Sequence, residues 1–92
     1  MYCILIYKTV DNYVEKRVPY REAHLAWASQ WEKEGKLVLG GALTDPADMA
    51  LLVFRGDTPA VAESFAMNDP YVKNGLVKEW EVREWNLVIG KL

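Results

Sequence analysis

The order of strand-like and helix-like segments in this sequence of 92 residues predicts an α+β fold with the topology β-α-β-β-α-β. Two observations carry the prediction. The opening MYCILIYKTV is apolar and rich in residues that favour strands, so Tyr2–Thr9 is predicted as a buried first strand. The stretch YREAHLAWASQW then predicts a helix whose buried face holds four side chains: Tyr20, His24, Trp27 and Trp31.

The remaining elements follow from local sequence signals. After the turn DNY, Pro19 suits the first turn of the first helix and Gly35 its C-terminal end. KLVLGGALT and MALLVFRG are two strand-like runs joined by the loop DPAD. Thr58 is the expected N-cap and Pro59 the first position of a second helix. Asp69, which precedes the next proline, should break that helix.

The last strand, LVKEWEVREWNLVI, has two features of note. The phase of its alternation changes beyond Glu84, which predicts a bulge or a change of partner there. Its apolar end, around Leu87 and Ile89, either packs back on its own sheet or reaches a second subunit.

Both helices on one face of an antiparallel sheet, the ferredoxin-like arrangement, leave the other face bare. Since soluble monomers seldom expose large apolar surfaces, we expect a homodimer through the sheet faces.

Composition predicts one soluble domain, residues 1–92. The hydrophobic fraction of 51% and charged fraction of 26% are ordinary for globular proteins. A net charge of −2 argues against nucleic acid and anionic membrane surfaces as partners. No run is long enough for a membrane span, and no signal peptide is predicted. The lone Cys3, predicted to be inert packing, fits a reducing cytoplasm.

His24 is the only histidine, and its role has two interpretations. It is either a core histidine bonded to a backbone carbonyl or one half of a catalytic pair. Asp69, at a helix-to-strand corner, is its best partner, unless that residue only forms an Asx turn.

No metal site is predicted, because no second histidine and no HExxH or CxxC spacing is present. Gly40-Gly41 suggests a bulge or a close approach rather than a phosphate loop, so no cofactor is expected.

Three segments, EKRVPYREAHLAW, GKLVLGGAL and NDPYVKNGLVKEWEVREW, together resemble the YCII-related domain family in order and spacing. The most distinctive elements, R-x-x-H-L and D-P-Y-x-x-x-G, are present as Arg21, His24, Leu25, Asp69, Pro70, Tyr71 and Gly75. The resemblance implies a dimeric α+β barrel with a catalytic pair of His24 and Asp69. The chain has Gly41-Ala42 where the family often has Gly-Pro, and Glu84-Trp85 where it often has Pro-Trp or Pro-Phe. Neither departure touches the pair.

Such a pair implies general acid–base chemistry of the lyase, dehydrochlorinase or isomerase type on a small aromatic or lactone substrate. Arg21, Trp27 and Tyr71 are the expected substrate-binding residues. Arg21 would bind an anionic oxygen and Trp27 a flat ring, although a helix-flank salt bridge and core packing explain these two equally well. The alternatives are a non-catalytic dimeric module that binds a small metabolite or a protein, and a cofactor-less oxygenase.

Overall fold

A computed structural model of the chain describes residues 1–91 and has the predicted α+β topology. Its four strands form one antiparallel sheet in the order β2-β3-β1-β4, which is the ferredoxin-like order. Within residues 1–91, no helix is both long and apolar enough to cross a membrane. The elements are β1 (Tyr2–Thr9), α1 (Tyr13–Lys16), a 3₁₀ turn (Val18–Tyr20), α2 (Arg21–Lys33), β2 (Leu37–Ala42), β3 (Met49–Arg55), α3 (Ala60–Asn68), α4 (Pro70–Lys73) and β4 (Val77–Trp85).

The central strand β1 shows how the sheet divides into two faces. Cys3, Leu5 and Tyr7 point towards the helices and are at most 1% exposed. Ile4 and Ile6 alternate with them and are half-buried on the other face. The apolar side of α3 completes the core above the buried face. Both long helices therefore cover the same side of the sheet, as predicted.

Phe65 of α3 is the centre of an aromatic cluster beneath α2. Its ring centroid lies 5.1 Å from that of Phe54, 5.6 Å from that of Trp31 and 6.0 Å from that of Trp27. Helix α2 has no fully buried residue, so the face that the sequence predicts to be buried is only partly covered. His24, on that face, is half-buried as well.

The segment before α2 differs from the sequence prediction. The turn DNY holds Asn12 in the left-handed region, at φ 59°, and leads into the short α1, which the sequence analysis missed. Pro19 lies in the 3₁₀ turn, so α2 begins only at Arg21. Pro19 therefore lies in the turn that leads into α2, whereas the sequence predicts it in the first turn of the helix.

The other predicted helix ends are closer to the observed ones. Gly35 follows α2 in the left-handed region at φ 77°, where glycine is favoured. Pro59 directly precedes α3 rather than opening it. The Thr58 hydroxyl nevertheless accepts a hydrogen bond from the Ala60 N–H at 3.3 Å, as a capping side chain does.

Neither the bulge nor the change of partner predicted near Glu84 occurs within residues 1–91. Strand β4 pairs with β1 in continuous register from Glu79 to Trp85 and then leaves the sheet, whereas the irregularity lies at its other end, beside Thr9. The change of phase in the sequence therefore marks the end of the strand. Beyond it, Val88 and Ile89 are 86% and 90% exposed and do not pack back on their own sheet, whereas Leu87 is half-buried.

We expect Phe65→Ala to lower the free energy of unfolding by about 3–5 kcal/mol, because it removes a fully buried ring from the aromatic cluster. The control is Met67→Ala on the same helix, where a side chain 66% exposed should change stability by less than about 0.5 kcal/mol. Urea unfolding followed by tryptophan fluorescence measures both values. Similar losses in the two variants would contradict the central position of Phe65.

Candidate active site

Asp69 lies at the corner between α3 and α4, and its backbone conformation is set by the residue that follows. Pro70 disfavours helical geometry at Asp69, which is extended at φ −66° and ψ 126°. The side chain turns back to cap α4, where Oδ1 accepts a hydrogen bond from the Tyr71 N–H at 3.0 Å. The Asx-turn role that the sequence leaves open is therefore real.

The same carboxyl group binds two side chains from distant elements. Its Oδ1 lies 2.8 Å from His24 Nδ1 on α2, and its Oδ2 accepts a hydrogen bond from the Tyr7 hydroxyl of β1 at 2.7 Å. Asp69 is fully buried, so these donors replace the water that the group loses on folding. The turn and the His–Asp pair are thus not exclusive, because one oxygen atom of Asp69 serves both.

His24 is held by this hydrogen bond and by stacking. Since a carboxylate oxygen only accepts, Nδ1 is the donor of this bond, and in the neutral imidazole Nε2 is then an acceptor. The imidazole lies on the Tyr71 ring, with centroids 3.8 Å apart and planes within 4°. Nε2 has no hydrogen-bond partner within residues 1–91, and the side chain is 15% exposed. His24 is therefore not a core histidine bonded to a backbone carbonyl.

A cavity of about 310 Å³ lies between α2 and β2, and His24 lines it. Gly40 forms part of the opposite wall, in register with Leu52, whose side chain would lie 3.4 Å from a Cβ at Gly40. The missing side chain leaves this wall open, while the bulge of β2 lies earlier, at residues 37–39. The volume is at the small end of ligand pockets, roughly 300–1,000 Å³, and suits a single-ring molecule.

Three of the five predicted site residues line this cavity, and a fourth, Asp69, is buried behind it and bonded to His24. His24 bonds Asp69, and Arg21 and Tyr71 line the same space. Trp27 lies elsewhere: its indole N–H donates to the Phe65 carbonyl at 3.2 Å, and its ring packs in the aromatic cluster. The structure therefore gives Trp27 the core-packing role that the sequence left as its alternative to ligand binding.

Among the lining residues that sequence reasoning missed are Tyr7, Tyr13 and Arg17. The alternation of β1 placed Tyr7 on the buried side, but nothing local showed that its hydroxyl meets Asp69. Burial raises the pKa of Tyr7 strongly, and the charge of Asp69 acts in the same direction. Burial also raises the pKa of Tyr13 and of Tyr71. At neutral pH these phenols are therefore protonated hydrogen-bond donors.

Fold and site together define a ferredoxin-like α+β protein with a His–Asp pair at a small cavity. The chain belongs to the YCII-related domain family, whose model matches residues 1–86. The family resemblance in the sequence is thereby confirmed. An uncharacterised protein of Haemophilus influenzae (strain ATCC 51907 / DSM 11121 / KW20 / Rd) is 29% identical over 97 residues, with 96% of this chain and 99% of the relative covered.

Solved structures share the fold along nearly the whole chain. The 5-chloro-2-hydroxyhydroquinone dehydrochlorinase from Burkholderia phenoliruptrix AC1100, in complex with 2,5-dihydroxybenzoquinone, is similar at TM-score 0.76 and 26% identity, with 94% of each chain covered. A Deinococcus radiodurans protein proposed to be an antibiotic biosynthesis monooxygenase is similar at TM-score 0.58 and 14% identity, with 100% of this chain and 99% of that one covered. The second likeness concerns the fold alone.

We expect Tyr7→Phe to cost about 1–3 kcal/mol at neutral pH, because it removes a donor from a buried carboxyl group. The folded pKa of Tyr7 lies above its ordinary value of 10.0, so at higher pH the folded protein keeps a proton that the unfolded chain releases. Stability should therefore fall as the pH rises above 10.0, and fall less in Tyr7→Phe.

Thermal unfolding at neutral and alkaline pH measures both effects. Tyr2→Phe is the matched control, because Tyr2 belongs to the same strand but its side chain alternates to the face away from Asp69. The control should keep the stability and the alkaline decline of the wild type. An alkaline decline in Tyr7→Phe as steep as that of the wild type would contradict the role of the Tyr7 hydroxyl.

Proposed function

We propose that the protein is a small-molecule enzyme in which His24 transfers protons as a general base and acid, while Asp69 orients its ring. The main support is the bond of 2.8 Å between Nδ1 and Asp69 Oδ1, which leaves Nε2 free on a side chain that lines the cavity. Tyr7 holds the carboxyl group, and Tyr71 holds the imidazole plane. Both are positioning residues for the pair.

The proposed reaction is the loss of a proton and a halide from a single-ring substrate. Nε2 takes the proton of a ring hydroxyl, and the imidazolium returns it to the ring carbon that carries the halide, giving a keto tautomer. Loss of a second hydroxyl proton to Nε2 then expels the halide with its electron pair. The net change is loss of HCl, with one C–Cl bond broken and a quinone formed, so no external oxidant is consumed.

Two considerations support this reaction class. The similar structure with 26% identity is a dehydrochlorinase named for a chlorinated single-ring phenol, and it holds a dihydroxybenzoquinone. A ring of that size also suits the cavity of about 310 Å³. An isomerase acting on a lactone of similar size would use the same proton transfers at Nε2.

The test is chloride release from 5-chloro-2-hydroxyhydroquinone. We expect His24→Asn to lower turnover by about 10²–10⁴-fold, because an asparagine amide cannot exchange a proton near neutral pH. Glu22→Gln, on the exposed side of the same helix and away from the cavity, should keep full activity. Circular dichroism checks that both variants fold. Turnover by His24→Asn at the wild-type rate would overturn the proposal, and ligand binding without any turnover would favour the non-catalytic module.

We assign this activity to the cytoplasm. Cys3 is a free cysteine, fully buried in β1, and burial raises the pKa of its thiol. A buried thiol of raised pKa is packing rather than a nucleophile. Its reduced state fits a compartment that keeps thiols free.

We further propose a homodimer through the faces of the two sheets. Ile4, Ile6 and Leu51 share the face that the helices leave uncovered. Beside them on the same face lie Arg83, opposite Ile4, and Glu81, opposite Ile6. Under a two-fold axis, such a surface with an apolar centre and charges of both signs can complement itself.

We expect Ile6→Asp to raise the dimer dissociation constant by more than about 100-fold, because it would bury a charge in the apolar centre of the interface. Val18→Asp is the control, since Val18 is an aliphatic residue 68% exposed and outside the sheet. Light scattering over a range of protein concentrations gives the mass of each variant. A monomer mass for the wild type at micromolar concentration would refute the dimer.

A further inference from the structure

Two arginines at the cavity have no carboxylate partner. Arg17 and Arg21 both line it, and neither forms an ion pair within residues 1–91. The Arg17 guanidinium lies over the Tyr13 ring, with Cζ 5.2 Å from the centroid. Arg17 follows the end of α1 and Arg21 opens α2, so the turn between the two helices brings two positive charges to one cavity. Glu32, which also lines the cavity, lies about three turns further along α2.

Tyr71, which lines the same cavity, has a buried hydroxyl group without an acceptor. Tyr71 is 2% exposed, and its hydroxyl has no hydrogen-bond partner within residues 1–91. Burial raises the pKa of this phenol, while the charges of Arg17 and Arg21, which line the same cavity, act in the opposite direction. A buried donor without an acceptor destabilises the protein, and a bound oxyanion would relieve that cost.

We propose that Arg17, Arg21 and the Tyr71 hydroxyl form an anion-binding subsite for a negatively charged oxygen of a planar, single-ring substrate. This subsite rests on the proposed function, because it holds the substrate ring next to the proton-transferring His24. The imidazole is stacked on the Tyr71 ring, so an oxygen bound at the Tyr71 hydroxyl is already beside His24. The substrates are therefore single-ring compounds that carry either a carboxylate or a ring hydroxyl that can ionise.

Isothermal titration with matched probes tests the subsite. We expect 2,5-dihydroxybenzoate to bind at least about tenfold more tightly than the neutral 2,5-dihydroxybenzamide, which has nearly the same shape. Arg17→Gln and Arg21→Gln should each weaken benzoate binding by about tenfold, and Tyr71→Phe by a few-fold, while amide binding stays unchanged. Lys33→Gln removes the same charge from α2 outside the cavity and should bind like the wild type.

A second ligand separates the two sources of the charge. 2,5-Dihydroxybenzoquinone has ionisable ring hydroxyls and no carboxylate. If this compound binds in an arginine-dependent way and the benzoate does not, the charged group that the subsite recognises is a ring oxygen. Either ligand supports the subsite if its affinity falls in the two arginine variants and stays unchanged in Lys33→Gln. The subsite would be overturned if the arginine variants bound these ligands as tightly as the wild type, or if the wild type bound the acid and the amide equally.

The variant His24→Asn distinguishes this inference from the proposed function. It should keep the affinity for the anion while losing chloride release from 5-chloro-2-hydroxyhydroquinone. If the wild-type protein binds the anion in an arginine-dependent way but releases no chloride, the proposed dehydrochlorinase activity is contradicted and the subsite is supported. If it releases chloride but Arg17→Gln and Arg21→Gln bind the anion unchanged, the activity is supported and the subsite is rejected.

Discussion

The buried carboxyl group of Asp69 is the constraint on which the rest of the site depends. It is fully buried and accepts hydrogen bonds from Tyr7 on β1, His24 on α2 and the Tyr71 N–H on α4. A carboxylate buried without such donors would cost several kcal/mol. The sheet, the long helix and the short helix must therefore all be in place before the group is satisfied, and satisfying it joins three elements that are distant in sequence.

The same network limits what His24 can do. Its Nδ1 is committed to Asp69, and one face of the ring lies on Tyr71. What stays available is Nε2, on a side chain that lines the cavity. That cavity exists partly because Gly40, on the strand β2 that faces α2, has no side chain to fill it. The chemistry offered is thus proton transfer at one nitrogen atom, in a space that suits a small ring.

The aromatic core supports this geometry from below. Trp27 and Trp31 follow His24 along the same side of α2, and both pack against Phe65 of α3. The helix is anchored at its C-terminal half by these rings and held at its N-terminal half by the bond to Asp69. Core packing and site geometry are therefore coupled through one helix, although α2 has no fully buried residue.

The sequence by itself determined the order of the elements and the corner at Asp69, because strand alternation, proline and glycine act over a few residues. It identified His24 and Asp69 through a family motif, since no local rule brings together residues 45 positions apart. Only the tertiary structure decided that Tyr7 donates to Asp69, that Trp27 packs in the core, and that the last strand ends at Trp85. The physical reason is that sequence periodicity gives only the direction in which a side chain points from its helix or strand. The residue that it contacts depends on which other element packs against that face.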